Sequence, residues 1–205
     1  LAYQLNEIFY SIQGEGHRKG TANVFVRFAG CNLRCNIDEH GFDCDTDFSR
    51  KFSLETPEDV LQYARRESGN RGKSVIFTGG EPGLQLDEPL VHRFQKADWY
   101  VAVETNGMYV LPSLIDWVSC SPKRGITAEE LKVHKVHELR LVVDADPCFY
   151  MPAWLFDAEY LFLSPAHDNG TNEPNPEALT NAIQLCKEFP EWRLSVQDHK
   201  AWEIR

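Results

Sequence analysis

Short, almost continuously apolar runs rich in β-branched residues recur along the chain, separated by helix-patterned or turn-rich stretches. They predict strands at Asn23–Phe28, Ser74–Thr78, Tyr100–Glu104, Trp117–Ser121, Glu138–Val143, Tyr160–Ser164 and Arg193–Gln197. A strand that is apolar on both sides is one covered on both sides, as in a parallel sheet. Helical periodicity marks Pro57–Glu67, with Thr56 as N-cap, then Glu88–Ala97 and Pro176–Phe189, and a shorter candidate at Ala128–His134. Strands alternating with helices imply an α/β fold with right-handed crossovers. The later connections, 144–157 and 165–174, are rich in turn residues, so full helices are fewer than strands. The 205 residues also fall short of the roughly 250 of a closed eight-fold barrel. The fold class expected is therefore α/β, an incomplete TIM-like barrel of about six parallel strands with few helices. One domain is expected over residues 1–205, with a polar cysteine loop at 31–46.

In parallel α/β folds the chemistry sits at the carboxyl ends of the strands. The residues in those places are Cys31 onward, Thr78-Gly79-Gly80-Glu81-Pro82, Glu104-Thr105-Asn106-Gly107, Ser121-Pro122-Lys123, Ser164-Pro165 and Gln197-Asp198-His199. All are polar or glycine-rich, and their agreement along the chain predicts a pocket at that end of the barrel.

Composition narrows the function classes. Hydrophobic residues make up 42% and charged residues 25%, as in an ordinary globular protein. The net charge of −10 argues against a broad nucleic-acid footprint. No run approaches the roughly 20 apolar residues that span a bilayer. The opening residues lack the basic and apolar regions of a signal peptide, so a cytoplasmic protein with no membrane partner is expected. Six cysteines in that setting read as ligands or core fillers, not a disulfide framework. Cys120, Cys148 and Cys186 fall in a strand, a loop and a helix pattern and read as small buried hydrophobes.

Cys31, Cys35 and Cys44 instead share one polar loop after a strand, spaced Cys-x3-Cys-x8-Cys. Three thiolates suit three irons of a cubane and leave the fourth iron open to another ligand. They equally suit a closed zinc site completed by His40. The cysteines alone leave both readings open. Thr78-Gly79-Gly80-Glu81 lacks the Gly-Lys-Ser/Thr ending of a P-loop, and no Gly-x-Ser-x-Gly or His-Glu-x-x-His occurs, which disfavours a hydrolase. His17, His92, His134 and His137 show no ligand spacing with the cysteines and read as surface residues.

Taken together, Ser11-Ile12-Gln13-Gly14-Glu15-Gly16, Phe25-Val26-Arg27, Gly30-Cys31-Asn32-Leu33-Arg34-Cys35, Cys44-Asp45-Thr46, Thr78-Gly79-Gly80-Glu81-Pro82, Glu104-Thr105-Asn106-Gly107, Ser121-Pro122-Lys123 and His199 are distinctive. On these residues the chain resembles the radical S-adenosylmethionine superfamily, and within it the 7-carboxy-7-deazaguanine synthases of queuosine and 7-deazapurine biosynthesis. The resemblance implies a [4Fe–4S] cluster on Cys31, Cys35 and Cys44. It implies S-adenosylmethionine contacts from Gly79, Gly80, Glu81, Glu104, Asn106, Ser121, Pro122, Lys123 and Ser164. A carboxylate such as Glu104 suits a ribose diol, and Lys123 suits a carboxylate as a point charge.

For the pterin substrate the resemblance implies Ile12, Gln13, Gly14, Glu15, Arg27, Thr78, His199 and Arg205. Gln and Glu match the amide-like edge of a pterin, and Arg27 can pair with its carboxylate in bidentate fashion. It further implies Mg²⁺ at the Thr46 hydroxyl, with Asp45 a rival by charge alone. A flavodoxin- or ferredoxin-type reductant and a homodimer are also implied. One feature departs from the superfamily pattern, which is Cys-x3-Cys-x2-Cys with an aromatic before the third cysteine. Here the second gap holds Asn36-Ile37-Asp38-Glu39-His40-Gly41-Phe42-Asp43, and Phe42 is the candidate for the displaced ring.

Overall fold

The computed structural model describes residues 2–44, 51–146, 153–168 and 170–204. Among them, strands β1 (Tyr3–Ile12), β2 (Ala22–Phe28), β3 (Phe52–Leu54), β4 (Ser74–Gly79), β5 (Tyr100–Thr105), β6 (Trp117–Cys120), β7 (Lys135–Val143), β8 (Asp157–Pro165) and β9 (Trp192–Leu194) form one sheet. Its order is β3-β1-β2-β4-β5-β6-β7-β8-β9. β1 pairs antiparallel with β2 and β3, whereas every pairing from β2 to β9 is parallel. The parallel run thus holds seven strands, the expected set with the short β9 included, and it curves as an open, partial barrel. β1 and β3 are additions to the expected set.

The helices are α1 (Ile37–His40), α2 (Pro57–Glu67), α3 (Glu88–Gln95), α4 (Pro176–Glu188) and α5 (Asp198–Ala201). α2 and α3 cover the outer face of the first half of the sheet. Val60, Leu61, Leu90 and Phe94 pack there on Phe28, Phe77 and Val103, all fully buried. Phe94 meets Phe77 and Trp99 edge-on, a favourable ring geometry. α4 covers the second half, where Ala182 packs with Leu139, Leu141 and Leu163. Inside the barrel a thin apolar layer of Phe9, Phe25, Ile76 and Ala102, with Trp117 against it, supports a polar layer described below.

α2 begins with a complete capping box: Thr56 Oγ1 accepts from Asp59 N–H, and the Asp59 carboxylate accepts from Thr56 N–H at 2.9 Å. Thr56→Ala should lower unfolding stability by about 1 kcal/mol, read as a fall in the urea midpoint at unchanged slope.

The expected helix at 128–134 is not formed. Thr127 donates from N–H and Oγ1 to the Glu130 carboxylate, which makes a turn. Lys132 and Val133 then give their N–H groups to the Gly107 carbonyl, and Leu131 is buried against that loop. Tertiary pairing with the segment after β5 therefore outweighs the local helical preference.

The connection between β1 and β2 tucks inward and bonds elements from across the sheet. Gly16 N–H donates to Ser195 Oγ and His17 N–H to the Glu138 carboxylate. Asp198 N–H donates to the Gly14 carbonyl, and Lys19 pairs with Asp198. The His17 ring stacks on Tyr160, centroids 3.8 Å apart. Gly14 and Gly16 are demanded by this close approach. A Cβ on Gly14 would run into His199, and one on Gly16, whose φ is +66°, into the Glu138 carboxylate.

Candidate active site

A cavity of about 300 Å³ opens at the carboxyl ends of the parallel strands. Its lining includes Cys31, Cys35 and Cys44, then Gly79, Gly80, Glu104, Asn106, Ser121, Lys123 and Ser164. Ile12, Gln13, Gly14, Glu15, Arg27, Thr78 and His199 line the same space. Two expected residues are placed elsewhere. Pro122 is buried outside the lining. Glu81 is 1% exposed, and its carboxylate accepts from Thr105 Oγ1 and Asn106 N–H, both at 2.7 Å, and from Gly83 N–H at 2.8 Å. Burial pushes the Glu81 carboxyl up, and those bonds pull against the rise. Glu81 thereby shapes the turn that presents Asn106, and the Asn106 side chain donates to Asn32 in the cysteine loop at 2.9 Å. Thr46, Asp45, Cys148 and Arg205 lie outside the described residues.

The inward-facing polar layer forms the cavity floor. Glu104 accepts from Gln13 Nε2 and Thr78 Oγ1, each at 2.9 Å, and from Arg140 at 3.3 Å. Burial works against its charge, but Arg140 and the two hydrogen bonds outweigh that and hold the carboxyl below its ordinary range. Arg140 also bonds Glu15 and Glu138, both at 2.8 Å. Arg27 pairs with Glu7 at 3.1 Å and borders the cavity beside Phe9. On the other side, Lys123 Nζ donates to Ser121 Oγ at 2.7 Å.

Ser164 Oγ is buried, borders the cavity, and has no hydrogen-bond partner among the described residues. A buried hydroxyl normally finds a partner, so this one is open to a water or a bound ligand in the cavity.

The three loop cysteines are free thiols on one wall. Burial pushes the Cys31 thiol up and that of Cys35 to about 11, while the Lys123 charge acts against both rises. Leu33 N–H points at Cys31 Sγ at 3.4 Å, and Cys44 N–H donates to the Cys35 carbonyl at 3.1 Å. Among the described residues no three Cys, His, Asp or Glu side chains converge as they would on a single metal ion. His40 Nδ1 accepts from Asn36 N–H inside its own loop at 3.4 Å, and it does not line the cavity. Three thiols from one loop are a donor set that suits three irons of a cluster, and His40, the candidate fourth zinc ligand, is turned into its own loop. Phe42 borders the cavity, with Lys123 Nζ 5.8 Å from its ring centre.

Several lining residues were not anticipated: Arg140, Ser119, His167, Asp168 and Lys200. For Arg140 the sequence carried a signal. Glu138 and Arg140 stand two apart in an otherwise apolar strand, hence on one face, and charges so placed are rarely buried unless paired. His167 and Asp168 sit in a loop and Lys200 in the four-residue α5, where no periodicity announces which way a side chain turns.

A scan against models of known protein families gave no match. Individual proteins do match. A 7-carboxy-7-deazaguanine synthase of Bacteroides thetaiotaomicron is 39% identical, with 98% of each chain covered. One of Burkholderia multivorans is 37% identical over the full length of both. Identity at that level across the whole chain decides the family.

The chain belongs to the 7-carboxy-7-deazaguanine synthase family.

The fold agrees independently: the crystal structure of QueE from Escherichia coli superposes with a TM-score of 0.69, covering 96% of this chain and 94% of that one, at 21% identity. Within this synthase family member, the cavity joins the cysteine loop, the Gly79-Gly80 turn and the acidic floor in one space. Among the described residues no helix is long and apolar enough to cross a membrane.

Proposed function

We propose that this chain is a radical S-adenosylmethionine enzyme that converts 6-carboxy-5,6,7,8-tetrahydropterin into 7-carboxy-7-deazaguanine and ammonia, a carbon–nitrogen lyase of queuosine and 7-deazapurine biosynthesis. The observation that carries this reading is a single cavity lined by the three free thiols of one loop, by the carboxylates of Glu15 and Glu104 and by the Ser164 hydroxyl.

Cys31, Cys35 and Cys44 would hold a [4Fe–4S] cluster, which together with S-adenosylmethionine would supply hydrogen-atom abstraction. The residues do the rest. Gly79 and Gly80 offer backbone to the methionine end of S-adenosylmethionine, Lys123 balances its carboxylate, and Ser121, Ser164 and Asn106 take its remaining polar groups. Glu104 stands between the two halves, where it reaches either the ribose or the pterin. Gln13, Glu15 and Thr78 accept and donate along the pterin edge, and Arg27 receives the pterin carboxylate. Ile12, Gly14 and His199 complete that side, with Arg205 assigned to it through the family. Mg²⁺ is assigned to the Thr46 hydroxyl through the family, two residues after Cys44 in the sequence. Product and ammonia together contain the atoms of the substrate, so the abstracted hydrogen is returned and no net oxidant is needed. A flavodoxin- or ferredoxin-type protein is the reductant in this reading, and a homodimer the working assembly.

The test is an anaerobic assay of iron-loaded protein with S-adenosylmethionine, a low-potential reductant and the pterin, followed by mass spectrometry. 7-Carboxy-7-deazaguanine should form, with S-adenosylmethionine regenerated and not consumed in proportion. Loaded protein that binds S-adenosylmethionine yet gives no such product would sink the assignment.

A further inference from the structure

Arg140 lines the cavity and bonds side chains at four other positions. Its Nη1 donates to Glu15 at 2.8 Å. Nη2 faces Glu104 at 3.3 Å, Ser119 Oγ at 3.1 Å and Glu138 at 2.8 Å, and Nε also donates to Glu138 at 3.1 Å. A guanidinium has five N–H donors in a fixed planar fork, so it is chiefly protein acceptors that this one satisfies. What it imposes on a ligand it therefore imposes through those acceptors.

Glu138 anchors the fork from behind. It is 1% exposed and accepts from Arg140 Nε and Nη2, Ser119 Oγ and His17 N–H. His17 belongs to the connection that carries Gln13, Gly14 and Glu15, so the same carboxylate ties that connection to the sheet. Gln13 closes the circuit, donating from Nε2 to Glu104 and accepting at Oε1 from Glu15 N–H. Three carboxylates thus surround one guanidinium, with Arg18 a second cation whose field reaches Glu104 and Glu138. A floor with that excess of acceptors favours a ligand edge made of N–H donors.

We infer that Arg140 is a positioning residue for the pterin: braced by Glu138, it fixes the Glu15 and Glu104 carboxylates where they accept the N–H groups of the substrate's pyrimidine edge. This rests on the pterin reading above. Lysine at position 140 keeps the charge but offers a point in place of a fork, and it cannot hold two carboxylates at fixed separation. Contacts made equally in ground and transition states appear in KM and not in kcat.

In the reconstituted enzyme, Arg140→Lys is expected to raise KM for the pterin at least about tenfold, equivalent to 1.4 kcal/mol. Its kcat should stay within about threefold, iron content should remain unchanged, and KM for S-adenosylmethionine, which Glu104 also touches in the reading above, should rise by a clearly smaller factor than KM for the pterin. Glu138→Gln, which keeps Arg140 and the side-chain shape, should shift pterin KM in the same direction by a smaller factor, and it carries the test if Arg140→Lys does not fold. An unchanged pterin KM, a loss confined to kcat, or an equal rise in both KM values overturns the inference. Wild-type enzyme that fails to turn over the pterin would instead overturn the functional reading on which it rests.

Discussion

Cys44→Ala protein, purified and reconstituted without oxygen, is expected to lose the brown colour, most of its iron and sulfide, and all measurable product formation. Eight residues separate Cys44 from Cys35, too many for the two thiols to be neighbours by chain proximity alone. The intervening segment folds on itself. The Asn36 side chain caps Glu39 N–H at 3.0 Å, and Ile37 N–H donates to Asp43 Oδ1 at 3.1 Å. Gly41, at φ +81°, ends α1 in the left-handed conformation and returns its N–H to the Ile37 carbonyl. Cys44 N–H then reaches the Cys35 carbonyl, so both thiols come back to one wall. Removing Cys44 leaves two thiolates, too few to hold a cubane by three irons. His40→Ala should retain iron, because that imidazole is engaged within its own loop. Normal turnover by Cys44→Ala, or iron loss in His40→Ala equal to that in Cys44→Ala, would discard the ligand assignment in favour of a site that includes His40.

The parallel strands were legible because each is an apolar run followed by polar or glycine-rich residues. That register put Cys31, Gly79, Gly80, Asn106, Ser121, Lys123 and Ser164 at the end where the cavity lies, whereas their roles and the pterin side rest on the family resemblance. β1 was not legible. A register shift between Leu5 and Glu7 breaks its alternation and Asn6 is buried there, so neither a period of two nor an apolar run stands out. β3 and α1 are three and four residues long, below the length at which periodicity carries information. The segment 128–134 carried a helical pattern, yet its backbone groups found better partners on Gly107. Glu81 was legible as part of a ligand-binding turn, but its role is inward: a carboxylate that accepts from Gly83, Thr105 and Asn106 holds the turn together. Arg140 went unnoticed because a charged residue inside a strand reads as a solvated face until the opposing charges are located, and these come from positions 15, 104 and 138.

Gly80→Ala is expected to damage the cluster wall and the S-adenosylmethionine site together. Its glycine looks at first like a device for letting backbone approach a ligand. The structure gives a harder reason. Gly80 N–H donates to the Phe28 carbonyl at 3.1 Å, and Glu81 N–H to the Gly30 carbonyl at 3.0 Å, so the end of β4 lies directly against the end of β2. A Cβ on Gly80 would stand 2.6 Å from the Gly30 carbonyl carbon, inside contact distance of its oxygen, and 3.1 Å from Cys31 Cβ. Backbone cannot rotate away as a flexible side chain can, so the Gly30–Cys31 segment must shift, and with it the Cys31 thiol proposed as a cluster ligand. Overpacking of this kind costs about 1–3 kcal/mol. Partial unfolding alone would lower activity in proportion to the folded fraction. Displacement of Cys31 and of the turn makes a different prediction: protein that is still folded below its reduced melting temperature should show less iron per chain and S-adenosylmethionine affinity weakened by at least about tenfold, or 1.4 kcal/mol. Calorimetric titration and iron analysis on the folded fraction separate the two. Wild-type iron content and affinity in Gly80→Ala would show that the strand ends can part without disturbing the site, and the close packing of β2 on β4 would then be a matter of stability alone.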